Sequence, residues 1–354
     1  MIDLLSTSEF DRFRKRPSLL SEIMTDDIQL IFIDEVQKIP ELLDEVHKLI
    51  EDKGVHFILS GSSTRKLKRG GANLLAGRAR TFRLDPFSFL EVPCFSLERA
   101  LHFGMLPKTF VPNLIEKKEI WNDEEIKHYL ISYVDTYLKE EILQEQLVRK
   151  INPFRDFLEV AAKCNGEIIV YSKIAKQVNV SDETIRTFFE VLEDTLLGFR
   201  LEPYHRSIRK RQLQSPKFYL FDIGVKRAMD RSLVNQILPS TGDYGDAFEH
   251  FIICEIVKLI NLKVLSQYKI YYLRTNQGAE IDLIVDRPGM KTLCIEIKSS
   301  ENVSDEHIKK LARFKEDMPD FEFIFLSKER NVRNISGITI YPWKEGITHY
   351  FSLD

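Results

Sequence analysis

Apolar and polar positions divide the N-terminal part of the chain into strands and a helix. Residues 30–33 form a short apolar run that ends in two acids, and residues 56–59 form a second run of the same kind. Between them, apolar residues recur every three or four positions over residues 42–49, the spacing of a helix that packs on one side. The order strand, helix, strand predicts a parallel α/β layer.

The middle of the chain is dominated by helical spacing. After a proline-containing connector over about residues 91–122, the charged segment 124–149 predicts one long helix. Farther on, KIAKQVN and DETIRTFFEVLEDTLL each carry an apolar stripe, and Ser181 is placed to cap the second of these helices. The basic stretch 199–211 then has the pattern of a hairpin. Two helices joined by a tight turn and followed by a hairpin are typical of a winged helix-turn-helix.

The last third of the chain mixes helix and strand patterns. A helix is expected from Asp246, where apolar side chains recur on one face. Upstream of it, Lys217–Phe221 has the pattern of a strand, and Asp222 that of a cap or turn residue. Strands are expected at 269–274, 280–286, 292–298, 321–326 and 338–341, with a helix at 305–315.

Composition and charge narrow the class of protein. Of the 354 residues, 44% are hydrophobic and 30% are charged, as in ordinary soluble proteins, and the length predicts two or three domains. The net charge of −3 gives no global positive field, so any nucleic acid has to bind through local patches. No apolar run has the length of a membrane span or of a signal-peptide core, so we expect a cytoplasmic protein without a membrane partner. The four cysteines lie among apolar neighbours and are predicted to be small core residues.

The first acidic pair, Asp34 and Glu35, ends the apolar run in LIFIDE. In P-loop ATPases, a buried strand delivers an aspartate to the magnesium shell and a glutamate to the attacking water. By this logic Asp34 is the magnesium residue and Glu35 activates water. The alternative is that Asp34 starts a turn and Glu35 caps a helix.

The segments IDEVQKIPELLDEVHKLI, FILSGSS and LLAGRARTFRLDPFSFLE resemble an AAA+-like (P-loop) ATPase family of archaea and bacteria. Members of that family join the ATPase to a C-terminal domain of unknown function. The resemblance implies that Ser60 and Ser62 lie in the sensor segment, close to the γ-phosphate. It also makes Arg78 and Arg80 candidates for an arginine that stabilises the transition state. Surface salt bridges are the alternative for both arginines.

The phosphate-binding loop of these ATPases does not occur in the sequence. It has the form GxxxxGK[ST], because backbone N–H groups must wrap the phosphates, and no such string is present. MIDLLSTSEF resembles the strand and turn that follow this loop in the family, so roughly 30 residues, one strand–loop–helix unit, are expected to be absent upstream. ATP and Mg²⁺ are the cofactors of complete family members. We expect the chain as given neither to bind ATP tightly nor to hydrolyse it.

Charges are unevenly distributed over the predicted winged helix. Its second helix carries five acids and only Arg186 as a base, which repels phosphates from most of its surface. A basic cluster that lies in or just after the wing suits contact with a DNA backbone. This cluster contains Arg206, Arg209, Lys210 and Arg211. DNA contact and docking onto a protein stay open as alternatives.

The most chemically specific residues lie in the last third of the chain. Glu280 and Asp282 share one face of a predicted strand, and Glu296 and Lys298, roughly 6.6 Å apart, share a face of the next. Adjacent strands would bring two carboxylates and one ammonium together. Phosphodiester hydrolysis uses such a set, because carboxylates hold one or two Mg²⁺ ions and a cation stabilises the attacked phosphate.

This arrangement resembles the PD-(D/E)xK nuclease superfamily, with Asp282, Glu296 and Lys298 at its D…ExK positions. The resemblance implies that Asp282 and Glu296 are metal ligands and that Lys298 is the catalytic cation. Glu249, on the preceding helix, matches the upstream glutamate that helps to hold the metal. Asp282 follows Ile281 rather than a proline, a common departure in this superfamily. The alternative is a solvated Glu296–Lys298 pair.

The sequence therefore predicts a multidomain α/β protein. Its expected parts are a truncated P-loop ATPase parallel sheet (1–90), a helical connector or lid (91–150), a winged helix-turn-helix (151–215) and a restriction-endonuclease-like domain (216–354). We predict an ATPase-family protein for DNA processing with a magnesium-dependent phosphodiesterase domain. A non-catalytic DNA- or protein-binding regulatory or assembly protein with an inactive nuclease fold is the alternative, and a nonfunctional truncated gene product is a third. DNA is the expected partner, and a homo-oligomer is left open.

Overall fold

The chain folds into two compact units. The computed structural model describes residues 1–25, 27–61, 79–110, 122–138, 151–205, 215–263, 265, 267–275 and 277–352. One unit is Met1–Thr81 with Val191–Leu197, and the other is Phe82–Glu190 with Gly198–Asp354. The first contains a parallel sheet and the second a mixed sheet, so the predicted α/β class is confirmed.

The first unit is built on a small parallel sheet in the order β1-β2-β3. Apolar side chains of the sheet and the helices form one core, which includes Phe13, Ile33 and Val46. Gly54 ends the third helix in the left-handed conformation (φ 66°), which glycine adopts without steric cost. The elements are β1 (Ile2–Asp3), α1 (Thr7–Lys15), α2 (Leu19–Glu22), β2 (Leu30–Asp34), α3 (Leu42–Lys53) and β3 (His56–Leu59), with a 3-10 turn at Val36–Lys38.

The second unit is built on an eight-stranded sheet in the order β10-β11-β9-β8-β7-β6-β4-β5. Its strands are β4 (Gly198–Pro203), β5 (Lys217–Leu220), β6 (Lys269–Arg274), β7 (Glu280–Asp286), β8 (Leu293–Lys298), β9 (Glu322–Ser327), β10 (Arg333–Ile335) and β11 (Ile338–Pro342). The pairs β8–β9 and β9–β11 are parallel, whereas β6–β7 and β7–β8 are antiparallel.

Helices cover both faces of this sheet. Those after α3 are α4 (Leu97–Phe103), α5 (Pro107–Phe110), α6 (Asp123–Ser132), α7 (Ile151–Lys163), α8 (Tyr171–Val178), α9 (Asp182–Asp194), α10 (Ile223–Met229), α11 (Gly242–Leu262), α12 (Asp305–Asp317) and α13 (Trp343–Phe351). One core joins α11 and α13 to the sheet, for example through Phe248, Ile295 and Trp343. A second core joins α12 to the opposite face, for example through Leu311 and Cys294. None of the helices within the described ranges is both long enough and apolar enough to cross a bilayer.

Most predicted elements are present, but several expectations differ from the structure. The helix expected over 124–149 ends at Ser132 and continues as a π-helix over Tyr133–Leu138, beyond which residues 139–150 lie outside the described part. The helix expected from Asp246 already begins at Gly242, where Thr241 caps it. Cys94 is exposed rather than part of a core.

Of the elements predicted for the winged helix over 151–215, the two helices are present as α8 and α9 and the first hairpin strand as β4, whereas the strand that pairs with β4 is β5, beyond the predicted boundary. Ser181 accepts a hydrogen bond from the Thr184 backbone N–H (3.2 Å) at the start of α9, as predicted. Strands β4 and β5 pair as an antiparallel hairpin. However, β4 also pairs in parallel with β6, so the hairpin extends the large sheet. The winged-helix assignment itself stays a prediction.

Candidate active site

The acids at the end of β2 lie beside the end of β3. Parallel pairing of these strands brings Ser60 next to Asp34, and the Ser60 hydroxyl donates a hydrogen bond to the Asp34 carboxylate. The Glu35 backbone N–H donates to Ser60 Oγ (3.2 Å), and Glu35 itself has a left-handed backbone (φ 57°). Its carboxylate accepts a hydrogen bond from the side chain of Gln37. The structure therefore brings together three of the residues predicted for nucleotide chemistry.

Of the other residues predicted for nucleotide chemistry, the structure describes only Arg80. Arg80 is exposed, whereas Ser62 and Arg78 lie outside the described residues. Parallel strands end at the same edge of a sheet, which explains why Asp34 and Glu35, predicted from the LIFIDE pattern, lie beside Ser60, which the family resemblance implied.

The second group of acids lies where β7 and β8 separate. The backbone pairing of the two strands ends at the pair Leu283–Ile295. Beyond it, the Asp282 side chain replaces the backbone partner, because its Oδ2 accepts a hydrogen bond from the Ile297 N–H at 2.7 Å. Asp282 is buried, with 7% of its surface exposed. The carboxylate is thus held rigidly in the gap between the strands.

Glu296 and Lys298 form an ion pair next to Asp282. Lys298 Nζ lies 2.8 Å from Glu296 Oε1 and 3.9 Å from Asp282 Oδ2. Their side chains are 16% and 25% exposed, so this is not a solvated surface pair. Three residues predicted from the D…ExK spacing are therefore in contact.

Glu249 belongs to a second cluster on the other side of Asp282. On α11, its Oε1 accepts a hydrogen bond from the Tyr219 hydroxyl (2.8 Å) and lies 3.7 Å from Lys217 Nζ. Lys217 Nζ also lies 2.5 Å from Glu280 Oε1. Sequence reasoning missed Lys217 and Tyr219, and it gave Glu280 no role. The only sequence signal for Lys217 and Tyr219 was their spacing of two residues on a predicted strand, which puts both side chains on one face of it.

The two clusters lie on opposite faces of the sheet. Ile295 and Ile297 pack in the core with α11, and neighbouring residues of a strand point to opposite faces, so Glu296 and Lys298 point towards α12. In agreement, burial and the positive charge of Lys298 lower the pKa of His307, which lies on α12. Glu249 approaches from α11 instead.

Asp282 connects the two clusters electrostatically. Burial and the negative charge of Asp282 raise the pKa of Glu249 from 4.5 to about 7 and the pKa of Glu296 to about 8. Burial opposes the charged form of Lys298, but the carboxylates of Asp282 and Glu296 raise its pKa to about 12. The lysine therefore stays charged, while both glutamates hold a proton more readily than in water.

The donor atoms of this site fit a hard divalent cation, which prefers carboxylate oxygens. Glu296 Oε2 is buried and has no hydrogen-bond partner within the described residues, so it has a free bonding position. However, no three His, Cys, Asp or Glu side chains in the described ranges are grouped closely enough to hold a metal ion. The acids are instead neutralised by Lys217 and Lys298. The donor chemistry thus fits a cation, but the residues stand as ion pairs rather than as a closed cage.

The predicted DNA-binding cluster lies outside the described residues, which exclude 206–214. On the predicted recognition helix, Asp182, Glu183 and Glu190 are exposed. The guanidinium of Arg186 lies 3.9 Å from the ring centroid of Tyr171. The basic side chain of this helix, Arg186, is therefore stacked on an aromatic ring, and the exposed acids of the helix would repel phosphates.

Three family models match successive parts of the chain. Residues 1–93 match an AAA domain, residues 96–235 a domain of unknown function (DUF8612) and residues 244–345 another domain of unknown function (DUF4143). The first match supports a relationship of the N-terminal part to AAA+-like ATPases. The third confirms the C-terminal domain of unknown function that the resemblance implied.

Several curated relatives carry the description of an uncharacterized protein. Protein Rv2008c of Mycobacterium tuberculosis is 27% identical over 262 residues, which cover 73% of this chain and 56% of the relative. Protein MJ1544 of Methanocaldococcus jannaschii is 23% identical over 208 residues, which cover 54% of this chain and 46% of the relative. The chain thus spans about half the length of these relatives.

Among solved structures, similarity is found to the Thermococcus gammatolerans assembly of McrB AAA+ hexamers with bound McrC. The identity is 9%, and the TM-score is 0.24 over 66% of this chain and 64% of that chain. A similarity of this size establishes no shared fold.

Proposed function

We propose that the C-terminal domain is a divalent-cation-dependent phosphodiesterase that acts on DNA and is joined to a module related to AAA ATPases. The observation that carries this proposal is the contact of Asp282, Glu296 and Lys298 at the separating ends of β7 and β8. Metal-dependent phosphodiester hydrolysis can use two carboxylates, which hold the metal, and an ammonium, which stabilises charge on the phosphate. The other activities of the whole protein, DNA binding and ATP-dependent action, are proposals as well.

Each of these side chains has a distinct task in the proposal. The Ile297 N–H holds Oδ2 of Asp282, and the proposal gives the other oxygen, Oδ1, to the metal ion. Glu296 offers its buried Oε2. Lys298 stays protonated and, on leaving Glu296, can contact a phosphate oxygen and stabilise the charge that develops there. A divalent cation held by Asp282 and Glu296 would supply a bound water of lowered pKa. Glu249, predicted as a third ligand, instead accepts a hydrogen bond from the Tyr219 hydroxyl and lies 3.7 Å from Lys217 Nζ.

The test compares cleavage of DNA by the parent chain and by Lys298→Ala, with Mg²⁺ or Mn²⁺ and with EDTA. Lys310→Ala is the matched control, because Lys310 pairs with Glu306 on the surface and its side chain is 63% exposed. We expect Lys298→Ala to lower the rate about 100-fold or more, the usual effect of removing one charge-stabilising group. Equal cleavage by the parent and Lys298→Ala would contradict the proposal.

A specific observation favours a second function, a non-catalytic regulatory or assembly protein. Lys217 and Lys298 already neutralise the acids, and the described residues hold no ready three-acid group. Thermal denaturation separates the two functions, since a cation that binds only the folded protein raises its melting temperature. A rise with Mn²⁺ that disappears in Asp282→Asn supports the enzyme. No rise and no cleavage support the non-catalytic protein.

For the N-terminal part we propose that Asp34, Glu35 and Ser60 are the acids and sensor of an ATPase-like site. Their mutual hydrogen bonds support this assignment. Because the chain contains no GxxxxGK[ST] string, we expect only weak ATP binding. Binding of labelled ATP with a micromolar Kd that is lost in Asp34→Asn would contradict this expectation.

We also propose that the protein contacts DNA and associates with copies of itself. The basic cluster at residues 206–211 supports backbone contact, since phosphates attract arginine without sequence preference. Duplex affinity that is unchanged when Arg206, Arg209 and Arg211 are replaced by Ala would exclude this cluster. A homo-oligomer is proposed from the AAA relationship, and light scattering of the purified chain tests it.

A further inference from the structure

We propose that His307, in the first turn of α12, is the general base of the phosphodiester hydrolysis and takes a proton from the water that attacks phosphorus. This inference rests on the proposed function and deepens it, because it adds a proton acceptor to the group of Asp282, Glu296 and Lys298. No sequence motif singled out His307, whose place depends on how α12 packs on the sheet.

The connection between two parallel strands places the start of α12 near this group. β8 and β9 pair in parallel, and α12 lies between them in the chain. Because both strands run in the same direction, the helix has to return the chain to the edge where the strands begin. Its first turn therefore lies near the end of β8. That end is Lys298, whose side chain points towards α12, and His307 is the third residue of the helix.

His307 lies on the side of α12 that faces the sheet. On this side Ile308, Leu311 and Phe314 are buried in the core that α12 forms with Cys294 and its neighbours. His307 precedes Leu311 by four residues and Phe314 by seven, so it continues the same helical stripe beyond the core. Its side chain is only partly exposed. The imidazole is thus held between α12 and the strand ends rather than turned out to solvent.

One hydrogen bond orients the imidazole and leaves its other nitrogen free. Nδ1 of His307 lies 3.1 Å from Ser304 Oγ, and this oxygen also accepts a hydrogen bond from the His307 backbone N–H (3.4 Å). The proposal uses the tautomer in which Nδ1 carries the proton and donates it to Ser304 Oγ, so that Nε2 has a free lone pair. Within the described residues, Nε2 has no hydrogen-bond partner. It is therefore available to accept a proton from water.

The surroundings of His307 keep the imidazole neutral. Burial first, and then the positive charge of Lys298, lower its pKa below the ordinary value of 6.5. The imidazole can therefore accept a proton at neutral pH, whereas Lys298 stays protonated and cannot. The other charges that act on the pKa of His307 are those of Lys310, Glu306 and Asp282.

The proposed step balances with the groups at hand and solvent. The water oxygen bonds to phosphorus while His307 Nε2 takes one of the two water protons, and the bond between phosphorus and the leaving oxygen breaks. Lys298 stabilises the negative charge that develops on the non-bridging oxygens. The leaving oxygen takes a proton from a solvent water, and the imidazolium returns its proton to the hydroxide so formed.

The test measures DNA cleavage in Mg²⁺ by the full chain and by His307→Ala, with and without added imidazole. We expect His307→Ala to lower kcat about 100-fold or more, the usual contribution of a general base, and free imidazole to restore part of the lost rate. Loss of a purely structural contact would not be restored in this way. His349→Ala is the matched control, because His349 is an exposed histidine on α13, which packs on the other face of the sheet. It should cleave like the parent.

A second variant covers the case in which His307→Ala does not fold. His307→Gln keeps an amide that can donate to Ser304 Oγ but has no basic nitrogen, so it should fold and lose the same activity. A further measurement needs neither cleavage nor a metal ion. Diethyl pyrocarbonate acylates neutral imidazole, so in EDTA it should modify His307, and duplex DNA should protect His307 but not His349, as read by mass spectrometry.

The outcomes separate this inference from the proposed function. Cleavage by His307→Ala at the rate of the parent would overturn the inference and leave the proposed function standing. So would a loss of activity that imidazole does not restore, or modification of His307 that DNA does not slow. No cleavage by the parent with any divalent cation would refute both.

Discussion

Replacing Glu296 by Gln tests the electrostatics of the acidic site without a metal. Burial and the negative charge of Asp282 raise the pKa of Glu296 from 4.5 to about 8. Between these two values the folded protein keeps a proton that the unfolded chain has released. The free energy of unfolding therefore falls as the pH rises through this window, and the contribution of this proton is complete only below about pH 4.5.

The size of the effect follows from the shift. One pKa unit corresponds to about 1.4 kcal/mol, so a shift from 4.5 to about 8 amounts to about 5 kcal/mol. Structural relaxation on ionisation recovers part of this penalty, and we expect a measured effect on the order of 2–3 kcal/mol. Glu296→Gln cannot ionise, so it should lack this pH dependence. The salt bridge to Lys298 forms only when Glu296 is ionised, so its effect is already contained in the pKa of about 8 and adds no separate contribution.

The assay is urea denaturation in EDTA between about pH 5 and about pH 9, followed by circular dichroism. The stability of the parent relative to Glu296→Gln should fall steadily with rising pH. Glu306→Gln is the control, because Glu306 is exposed and pairs only with Lys310 among the ion pairs of the described residues. Parallel pH profiles for the parent and Glu296→Gln would refute the reasoning, since Glu296 would then ionise like a surface carboxylate.

The remaining predictions concern the buried polar contacts that hold the second unit together, and urea denaturation measures each. Asp222 accepts hydrogen bonds from the Met105 N–H (2.6 Å) and the Val225 N–H (3.0 Å). Asp222→Ala should therefore lower the free energy of unfolding by about 2–4 kcal/mol. A decrease of less than about 1 kcal/mol would contradict the capping role of Asp222. Gly104 has φ 73° and packs against the Asp222 carboxylate, so Gly104→Ala should lower the free energy of unfolding by at least about 2 kcal/mol. Gly245→Ala should lower it less, because a Cβ at Gly245 would meet nothing closer than 3.8 Å. Glu255 is fully buried, pairs with Lys258 and accepts a hydrogen bond from the Phe89 N–H (2.9 Å). Glu255→Ala should lower the free energy of unfolding by about 3–5 kcal/mol, because it leaves the Lys258 ammonium buried without its carboxylate. The solvated Glu159–Lys163 pair provides the comparison, and Glu159→Ala should show no similar loss.

Local patterns predicted the elements of the C-terminal domain well. The strand expected over 280–286 is Glu280–Asp286, and the one over 292–298 is Leu293–Lys298. Apolar alternation reflects the two faces of a strand, so it depends only on neighbouring residues. Asp222, predicted to be a cap or turn residue, is the N-cap of α10 for the same local reason. The helix expected over 124–149 was less predictable, because a charged segment lacks the apolar stripe that defines where a helix packs and ends.

The candidate site was only partly predictable. The D…ExK spacing placed Asp282, Glu296 and Lys298 together, because adjacent strands bring residues at matching positions into contact. That Glu296 and Glu249 approach Asp282 from opposite faces could not be read from spacing. It depends on which core each side of β8 packs against.

The sequence by itself determined the α/β class and most strands and helices, because these depend on short-range periodicity. It also singled out the acids Asp34 and Glu35 after β2 and the acids Asp282 and Glu296 on β7 and β8. Only the tertiary structure decided that β4 pairs with β6 and so brings β5, with Lys217 and Tyr219, to Glu249 and Glu280. It also decided which charges are buried and therefore which carboxyl pKa values rise. The physical reason is that burial and long-range strand pairing involve residues far apart in the chain, on which local patterns carry no information.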